Sequence, residues 1–574
     1  MSSDTVSRHQ QAYPLAEEAA NYTGSAELRT ATHPPDYVDA LLSNHLDSVA
    51  IADPSPRSLL LDLPDELLIE IFKNLNPETT MHGSHEYDHN AEHTEAIKST
   101  RLACRRLCAI ASYFLLDFVN VEPTEASIRR LERISEHEAV RKEIRGAHIS
   151  FTMYHPDLAK SLDWFVQGLV KQFEHEYLHK ELWLRPPFHG FPSSEEEQSA
   201  LIAKGKSISH AWSYGFVRAR RNNWNIKKYL LNAHKEYKRR FNEQQRLMKD
   251  NSFTVRIALA LAKMPKIKYL MVNNNLTMSH LIGKEDIWQA LRLGEPSRIA
   301  HRYVRPMTCH MSEGCCHMRE GWCDTLLIRF PLEAALHLLA ILPQAGVHIQ
   351  DLRCRFPIDV MEASWMSCFP YYAGLRDMGK RLTHANMSIQ HHRCSISDEQ
   401  ESNILEWAEK LLVEMLSASP LEYLCLSSKL LNDYGASSLL GPSFTAPVLA
   451  VQKQGKLRTL VLEDATITSH TLQMLMTPYK ETEGDASRPK LHFDLAGVEM
   501  MDPDSWEGAL YQLRGGVDNT STIRYPNGNM GDLWNPQIRH IFNPGGEDGA
   551  SEAERYIRGE EIPNPFSWRI PGVY

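Results

Sequence analysis

Ile267-Lys268-Tyr269-Leu270-Met271-Val272-Asn273-Asn274-Asn275 places apolar residues at its first, fourth and sixth positions and ends on an asparagine. Alternation over Leu270 and Val272 is the pattern of a short strand with one buried face. The same spacing recurs at Ile349, Leu352 and Cys354, at Leu421, Leu424 and Leu426, and at Leu457, Leu460 and Leu462. Apolar helical segments precede three of the four, at 255–262, 332–342 and 404–416. The pattern predicts a repeated helix-then-strand unit. Its starts fall 82, 72 and 36 residues apart.

This spacing resembles that of leucine-rich repeats, with Asn275 completing Leu-x-x-Leu-x-Leu-x-x-Asn in type. The resemblance implies a solenoid with one short strand per repeat, each unit burying its apolar face on its neighbours. The intervals depart from the usual period of about 20 to 29 residues. An ordinary α/β domain with leucine-rich strands is therefore the alternative.

Nearer the N-terminus the chain reads Leu63-Pro64-Asp65-Glu66-Leu67-Leu68-Ile69-Glu70-Ile71-Phe72-Lys73-Asn74-Leu75. Pro64 suits a first helical position, where its missing N–H costs nothing. Asp65 and Glu66 put negative charge in the first turn, where the helix dipole favours it. Leu67, Leu68, Ile71, Phe72 and Leu75 form an apolar stripe too short to be stable alone. A second helical pattern covers 100–118, TRLACRRLCAIASYFLLDF, with Leu102, Leu107, Ile110, Phe114, Leu115 and Phe118 on one side.

Together the two segments resemble the F-box. The matching residues are Leu63, Pro64, Glu66, Leu67 and Ile71, then Leu102, Cys104, Arg105, Arg106 and Leu107. The Leu102 to Cys104 spacing is one residue shorter than the family's, and the inserted loop at 76–95, with His82, His85, His89 and His93, is longer than usual. The arrangement is similar to many fungal F-box chains with diverged leucine-rich repeats, including the Ser505-Trp506-Glu507-Gly508-Ala509-Leu510 segment. The resemblance implies a non-catalytic, substrate-recognition subunit of an SCF-type ubiquitin ligase. Leu63, Pro64, Leu67, Ile71, Phe72, Leu102, Cys104 and Leu107 would dock or support a Skp-type adaptor, which leads to cullin. The C-terminal domain would hold a protein substrate.

Composition agrees with that class of protein. The 574 residues carry 43% hydrophobic and 23% charged residues, as ordinary globular domains do. A net charge of −10 argues against a dedicated nucleic-acid or anionic-membrane binder. Ten cysteines over this length imply no disulfide framework and fit the cytosol or nucleus. The expected fold class is mixed α+β and helix-rich, an F-box helical unit followed by an irregular leucine-rich-repeat-like α/β solenoid. Residues 1–57 are expected to be a disordered tail and 58–122 the F-box domain. A helical linker region is expected at 123–252, the substrate-binding domain at 253–515 and an irregular C-terminal tail at 516–574. In the linker region, 125–145 and 157–184 read as helices and 147–153 as a short strand.

Three clusters invite chemistry. His175-Glu176-Tyr177-Leu178-His179 has the spacing of a zinc metallopeptidase helix, where two His share a face and the Glu serves as base. That helix turns both His away from its apolar stripe, so a surface role is expected, and Glu195, Glu196 and Glu197 are only distant candidates for a third ligand. Cys309, His310, Cys315, Cys316, His317 and Cys323 offer zinc ligand types but no Cys-x-x-Cys knuckle. Residues 218–249 hold eleven Lys and Arg against two Glu, with Trp224, Tyr229, Tyr237 and Phe241 interleaved, and read as the solvated side of a long helix. Cys104 and Cys108, one turn apart, are expected to be packing residues. No cofactor, catalytic residue or metal site is expected. The alternatives are a leucine-rich-repeat scaffold outside any ligase and a zinc metallopeptidase using His175, Glu176 and His179.

Overall fold

A computed structural model describes residues 63–75, 96–111, 117–178, 194–218, 224–273, 289–304, 332–358, 370–391, 398–430, 444–480, 490–500, 506–528, 541–542 and 550–567. The chain divides into two compact units, Met1–Leu68 and Ile69–Tyr574. Within the first, the Pro64 carbonyl accepts from the N–H groups of Leu67 and Leu68, each at 3.1 Å, which starts the Asp65–Leu75 helix.

The second unit is mixed helix and sheet. Its framework is nine parallel strands: β1 (Phe118–Val121), β2 (Gly146–Ser150), β3 (Tyr269–Asn273), β4 (Asp351–Ile358), β5 (His384–His391), β6 (Tyr423–Leu430), β7 (Thr459–Glu463), β9 (His492–Ala496) and β11 (Thr522–Arg524). Their order in the sheet is their order in the chain, and the sheet is open, with β1 and β11 at its edges. A second, three-stranded parallel sheet joins the short strands β8 (Thr466–Ile467), β10 (Glu499–Met500) and β12 (Asn527–Gly528), each just after a main strand. Asp464 and Tyr525, at φ +50° and +51°, and Gly497, at +63°, make the same left-handed turn between the two sheets in three successive units.

The register explains the irregular spacing. Phe118, Gly146, Tyr269, Asp351, His384, Tyr423, Thr459 and His492 occupy one row across the sheet. Successive intervals are 28, 123, 82, 33, 39, 36 and 33 residues, and Asp494 to Thr522 adds 28. The sequence interval of 72 thus divides into 33 and 39 at β5. That strand carries the same spacing in Leu382, Ala385 and Met387, all fully buried. The sheet also takes in strands at 118–121 and 146–150, inside the stretches read as F-box unit and helical linker.

Helices Glu125–Glu136, Ser252–Leu261, Leu332–Ile341, Tyr372–Gly379, Asp398–Leu416, Thr445–Gln452, Ser469–Lys480 and Trp506–Leu513 pack in succession along one face. They share a core with strand residues such as Leu270, Leu352, Ala385, Leu424, Leu460 and Phe493. Arg256 ties the first two together, with Nε and Nη2 donating to the Glu132 carboxylate at 2.7 and 2.8 Å and Nη1 to Glu125 at 2.8 Å.

The two longest intervals feed a separate core. Helices Pro156–Lys160, Leu162–Leu178, Glu195–Arg218 and Trp224–Lys249 come from the first interval and Pro296–Arg302 from the second. Phe165, Phe173, Trp212 and Tyr237 bury against one another with Ile299 and Tyr303. The helix read over 157–184 breaks at Ser161, whose hydroxyl accepts from Trp164 N at 3.3 Å and restarts the chain. The Trp224–Lys249 helix joins both cores, because Leu247 belongs to the sheet's core and Leu230 and Tyr237 to the helical one. Buried Gln244 secures it: Oε1 accepts from Tyr154 N at 2.7 Å and Nε2 donates to Thr152 O at 2.8 Å.

The C-terminal segment is more regular than its sequence suggests. It supplies β11, β12 and the Glu552–Ile557 helix. Phe542 sits edge-on to Trp506 at 5.6 Å and Phe566 to Phe542 at 6.1 Å. Trp534, Trp568 and Tyr574 lie outside the described residues.

Helix spacing depends on two glycines. A Cβ on Gly374 would meet the backbone of Ala340, and one on Gly379 would overlap the Met415 carbonyl oxygen. Neither obstacle can rotate away. Gly379→Ala should therefore lower stability by roughly 1–3 kcal/mol or more, as overpacking does. Gly508→Ala, in a helix with open space at its Cβ, should be neutral or raise stability by up to about 1 kcal/mol. Urea denaturation should show a lowered midpoint for Gly379→Ala and an unchanged or raised one for Gly508→Ala.

Candidate functional site

Two surfaces present side chains that the cores do not claim. The first lies on the helices that carry the F-box resemblance. In the first unit, Leu63 is half-buried, Pro64 is exposed, Leu68 is buried and Leu67 is 51% exposed. In the second, Phe72 is buried and Ile71 is 38% exposed. The helix expected over 100–118 is interrupted. It runs over 96–103, breaks at Cys104 and resumes at Arg105–Ala111, while Phe118 already belongs to β1. Cys104 caps the restart: its Sγ accepts from Leu107 N at 3.4 Å and its carbonyl from Cys108 N at 2.8 Å. Leu107 is buried, whereas Leu102 is 86% exposed. Of the predicted docking residues, then, Pro64, Leu67, Ile71 and Leu102 meet water and Phe72 and Leu107 do not.

The second surface is the sheet face turned away from the helical layer. Because the strands are parallel and in register, residues at the same strand position form rows, and alternate rows share a face. Two rows dominate this face. One holds Phe118, Tyr269, Asp351, His384, Tyr423 and His492, and the other His148, Met271, Arg353, Asn386, Cys425 and Asp494. At its N-terminal end three rings interlock. Phe118 lies 5.3 Å from His148 and 5.3 Å edge-on to Tyr269, and His148 lies 5.6 Å from Tyr269. Gly146 makes this possible, since a Cβ there would stand 2.5 Å from the Phe118 ring. The Arg353 guanidinium sits over Tyr269 at 5.4 Å and 3.8 Å from Asp351, and His384 stacks on Tyr423 at 5.9 Å. Farther along, Asp494 pairs with Arg524 at 2.8 Å, and His492 Nδ1 lies 2.8 Å from Thr520 Oγ1.

Electrostatics divides this face. Burial, and then the Arg353 charge, hold the His148 imidazole down at about 4. Burial also lowers His384, against the pull of Glu422. Burial pushes the Cys425 thiol up to about 12, with Glu463 and Asp494 adding to the effect, and on the opposite, core face Cys354 is pushed up by burial alone. A thiol held neutral in this way is a poor nucleophile. On this face Tyr269, Met271 and Cys425 are buried, while Phe118, His148, Arg353, His384, Asn386 and Tyr423 are half-buried and offer rings, a guanidinium and an amide for non-covalent contact.

The remaining sequence clusters fall differently. The loop at 76–95, His179 and the Cys309–Cys323 cluster lie outside the described residues, and the side chains of His175 and Glu176 are not described either. Glu197 is ion-paired with Arg292 at 2.9 Å. Among the described residues no group of three His, Cys, Asp or Glu is placed to hold a metal, and no helix is long and apolar enough to cross a membrane. No protein-family model matches the chain, and neither a curated protein nor a solved structure matches it.

His148 gives the sheet a pH dependence. Folding keeps the imidazole neutral, while in the unfolded chain it titrates near 6.5, so below that pH the unfolded state binds more protons. The contribution is intact above about 6.5 and is lost as pH falls toward about 4, reaching about 3 kcal/mol at most. Urea melts at pH 7, 5.5 and 4.5 should show this loss, and His148→Phe, which keeps a ring beside Phe118 and Tyr269, should flatten it.

Proposed function

We propose that this chain is the substrate-recognition subunit of an SCF-type ubiquitin ligase. In this reading the segment at 63–75 is an F-box helix that docks a Skp-type adaptor, and Leu63, Pro64, Leu67, Ile71, Phe72, Leu102, Cys104 and Leu107 are the residues that serve that docking. The nine-stranded sheet is a diverged leucine-rich-repeat solenoid, and the face turned away from the described helical layer holds the substrate. The chain contributes no chemistry. It raises the local concentration of substrate lysines around a ubiquitin-loaded enzyme recruited through cullin.

The observation that carries the reading is the exposure of Leu67 within Leu-Pro-x-Glu-Leu, beside a fully buried Leu68. Full burial of an exposed leucine is worth roughly 1.5–3 kcal/mol, and Leu67, about half exposed, would gain part of that against a partner. Ile71 and Leu102 add to the same case. The solenoid reading draws support from strand order that follows chain order, and from seven intervals of which five lie between 28 and 39 residues. Those five intervals are longer than the usual repeat of about 20–29 residues in four cases, which fits crossovers made of full helices.

Co-purification with the organism's Skp-type adaptor tests the proposal. Wild type should retain the adaptor. Leu67→Asp/Ile71→Asp should lose it with an unchanged melting curve, because both side chains already meet water, and Leu63→Ala/Pro64→Ala should weaken it. A folded wild-type chain that retains no adaptor would sink the ligase reading and leave the scaffold one.

A further inference from the structure

We infer that the outward face of the Trp224–Lys249 helix is a docking surface for an acidic polypeptide that also carries apolar side chains. The inference stands on this helix alone and does not depend on the adaptor proposal.

The helix has 26 residues, so its rod is about 39 Å long. Leu230, Ala233, Tyr237, Gln244 and Leu247 recur at three, four or seven residues and are buried. On the opposite side, Lys228, Leu231, Lys235, Lys238, Asn242 and Lys249 follow the same spacing and are exposed, with Lys227 and Arg246 beside them. None of these six cations makes an ion pair among the described residues, although the whole chain carries ten more acidic than basic groups. The two carboxylates of the helix lie on another flank and are already used. Glu236 takes Arg239 at 2.7 Å and Arg240 at 2.9 Å, and Glu243 takes Arg239 at 2.9 Å and the Glu125 N–H at 2.8 Å. Like charges three residues apart, as at Lys235 and Lys238 or Arg246 and Lys249, cost a few tenths of a kcal/mol per pair in an isolated helix. An anionic partner removes that cost.

Several features favour a polypeptide over a nucleic acid. The aromatic residues of this helix whose side chains are described turn inward: Tyr237 is buried, Phe241 packs on the helical core, and the Tyr229 hydroxyl accepts from Trp212 Nε1 at 2.8 Å. None of these three is offered for base stacking. The guanidinium forks of Arg239 and Arg240, which could grip phosphate, are held by Glu236, Glu243 and the Val304 carbonyl. What remains is mostly lysine, a point charge on a flexible stem. Leu231, 40% exposed between Lys228 and Lys235, adds an apolar contact that a phosphate backbone cannot use. One leucine is too little for a membrane surface, where an apolar face must be buried along the helix.

The test uses the full chain and a fluorescein-labelled synthetic peptide of repeating Glu-Glu-Leu, followed by anisotropy at low, physiological and high salt. Duplex DNA and phosphatidylserine vesicles are the comparison probes. The peptide should bind wild type and weaken with salt. Lys228→Glu/Lys235→Glu/Lys238→Glu should weaken it about tenfold, the factor expected when three exposed ion pairs of ordinary strength are lost. Leu231→Ser should weaken the peptide and leave DNA binding unchanged. If the charge-reversed chain does not fold, Lys→Gln at the same three positions gives the reading. No peptide binding at low salt, equal binding by the variants, or tighter binding of DNA or vesicles than of peptide would overturn the inference.

Discussion

In-register parallel pairing is the constraint on which the second unit depends. From β1 to β9 the strands of this sheet place their second and fourth residues beside their counterparts on the neighbouring strands, so a single slip would turn every buried side chain outward. The penalty would fall on whole rows at once, among them Leu270, Leu352, Ala385, Leu424 and Leu460. Parallel neighbours also require a crossover between strands, and here the crossovers lay helices against that same face. One geometric fact thus produces both the core and the face turned away from the described helices. The opposing rows are released from the core's demand for apolar groups, and they hold Arg353, His384, Asn386 and Asp494.

The same constraint explains how two crossovers could grow to 123 and 82 residues without breaking the stack. Closing a longer loop costs little extra entropy. The ends of β2, β3 and β4 stay in register whatever lies between them. A long insertion must still bury its own apolar surface, and these two do so jointly around Phe173, Trp212 and Tyr303. The Trp224–Lys249 helix is the bridge. Gln244 and the Tyr237 hydroxyl bind the backbone of residues 152–155 just beyond β2, fixing the helix to the sheet through buried polar groups.

How much of this is readable in the sequence depends on which residue holds each core position. Strands β3, β4, β6 and β7 carry Leu, Ile, Val or Cys at the diagnostic spacing and are visible. Strand β5 has Ala385 and Met387 there, between polar His384 and Asn386, and its row is legible only once its neighbours define it. Ile144, Ala147 and Ile149 show the pattern too, but they stand 123 residues before the next example. The break at Cys104 has no Pro or Gly to announce it. The apolar stripe of the Asp65–Leu75 helix is plain, yet periodicity cannot say that Leu68 is buried and Leu67 is not, because that depends on what the helix meets. The basic run at 218–249 reads as a solvated face, and only placement shows its carboxylates segregated to one flank.

A stack of this kind must also end. The last strand presents unpaired N–H and C=O groups that would template another chain. Strand β11 is only three residues long, and its central N–H, on Ile523, donates to Glu554 Oε1 at 3.0 Å. The same carboxylate accepts from Ser551 N at 2.8 Å through its other oxygen, closing a capping box at the start of the Glu552–Ile557 helix. Arg514 then reaches across, donating to the carbonyls of Glu560 and Ile562 while lying over the Tyr556 ring at 4.4 Å. One buried carboxylate therefore terminates the sheet and begins the helix that covers its edge. The segment after residue 516 fills this role, which accounts for its mixture of turn residues with the buried aromatics Phe542, Tyr556 and Phe566.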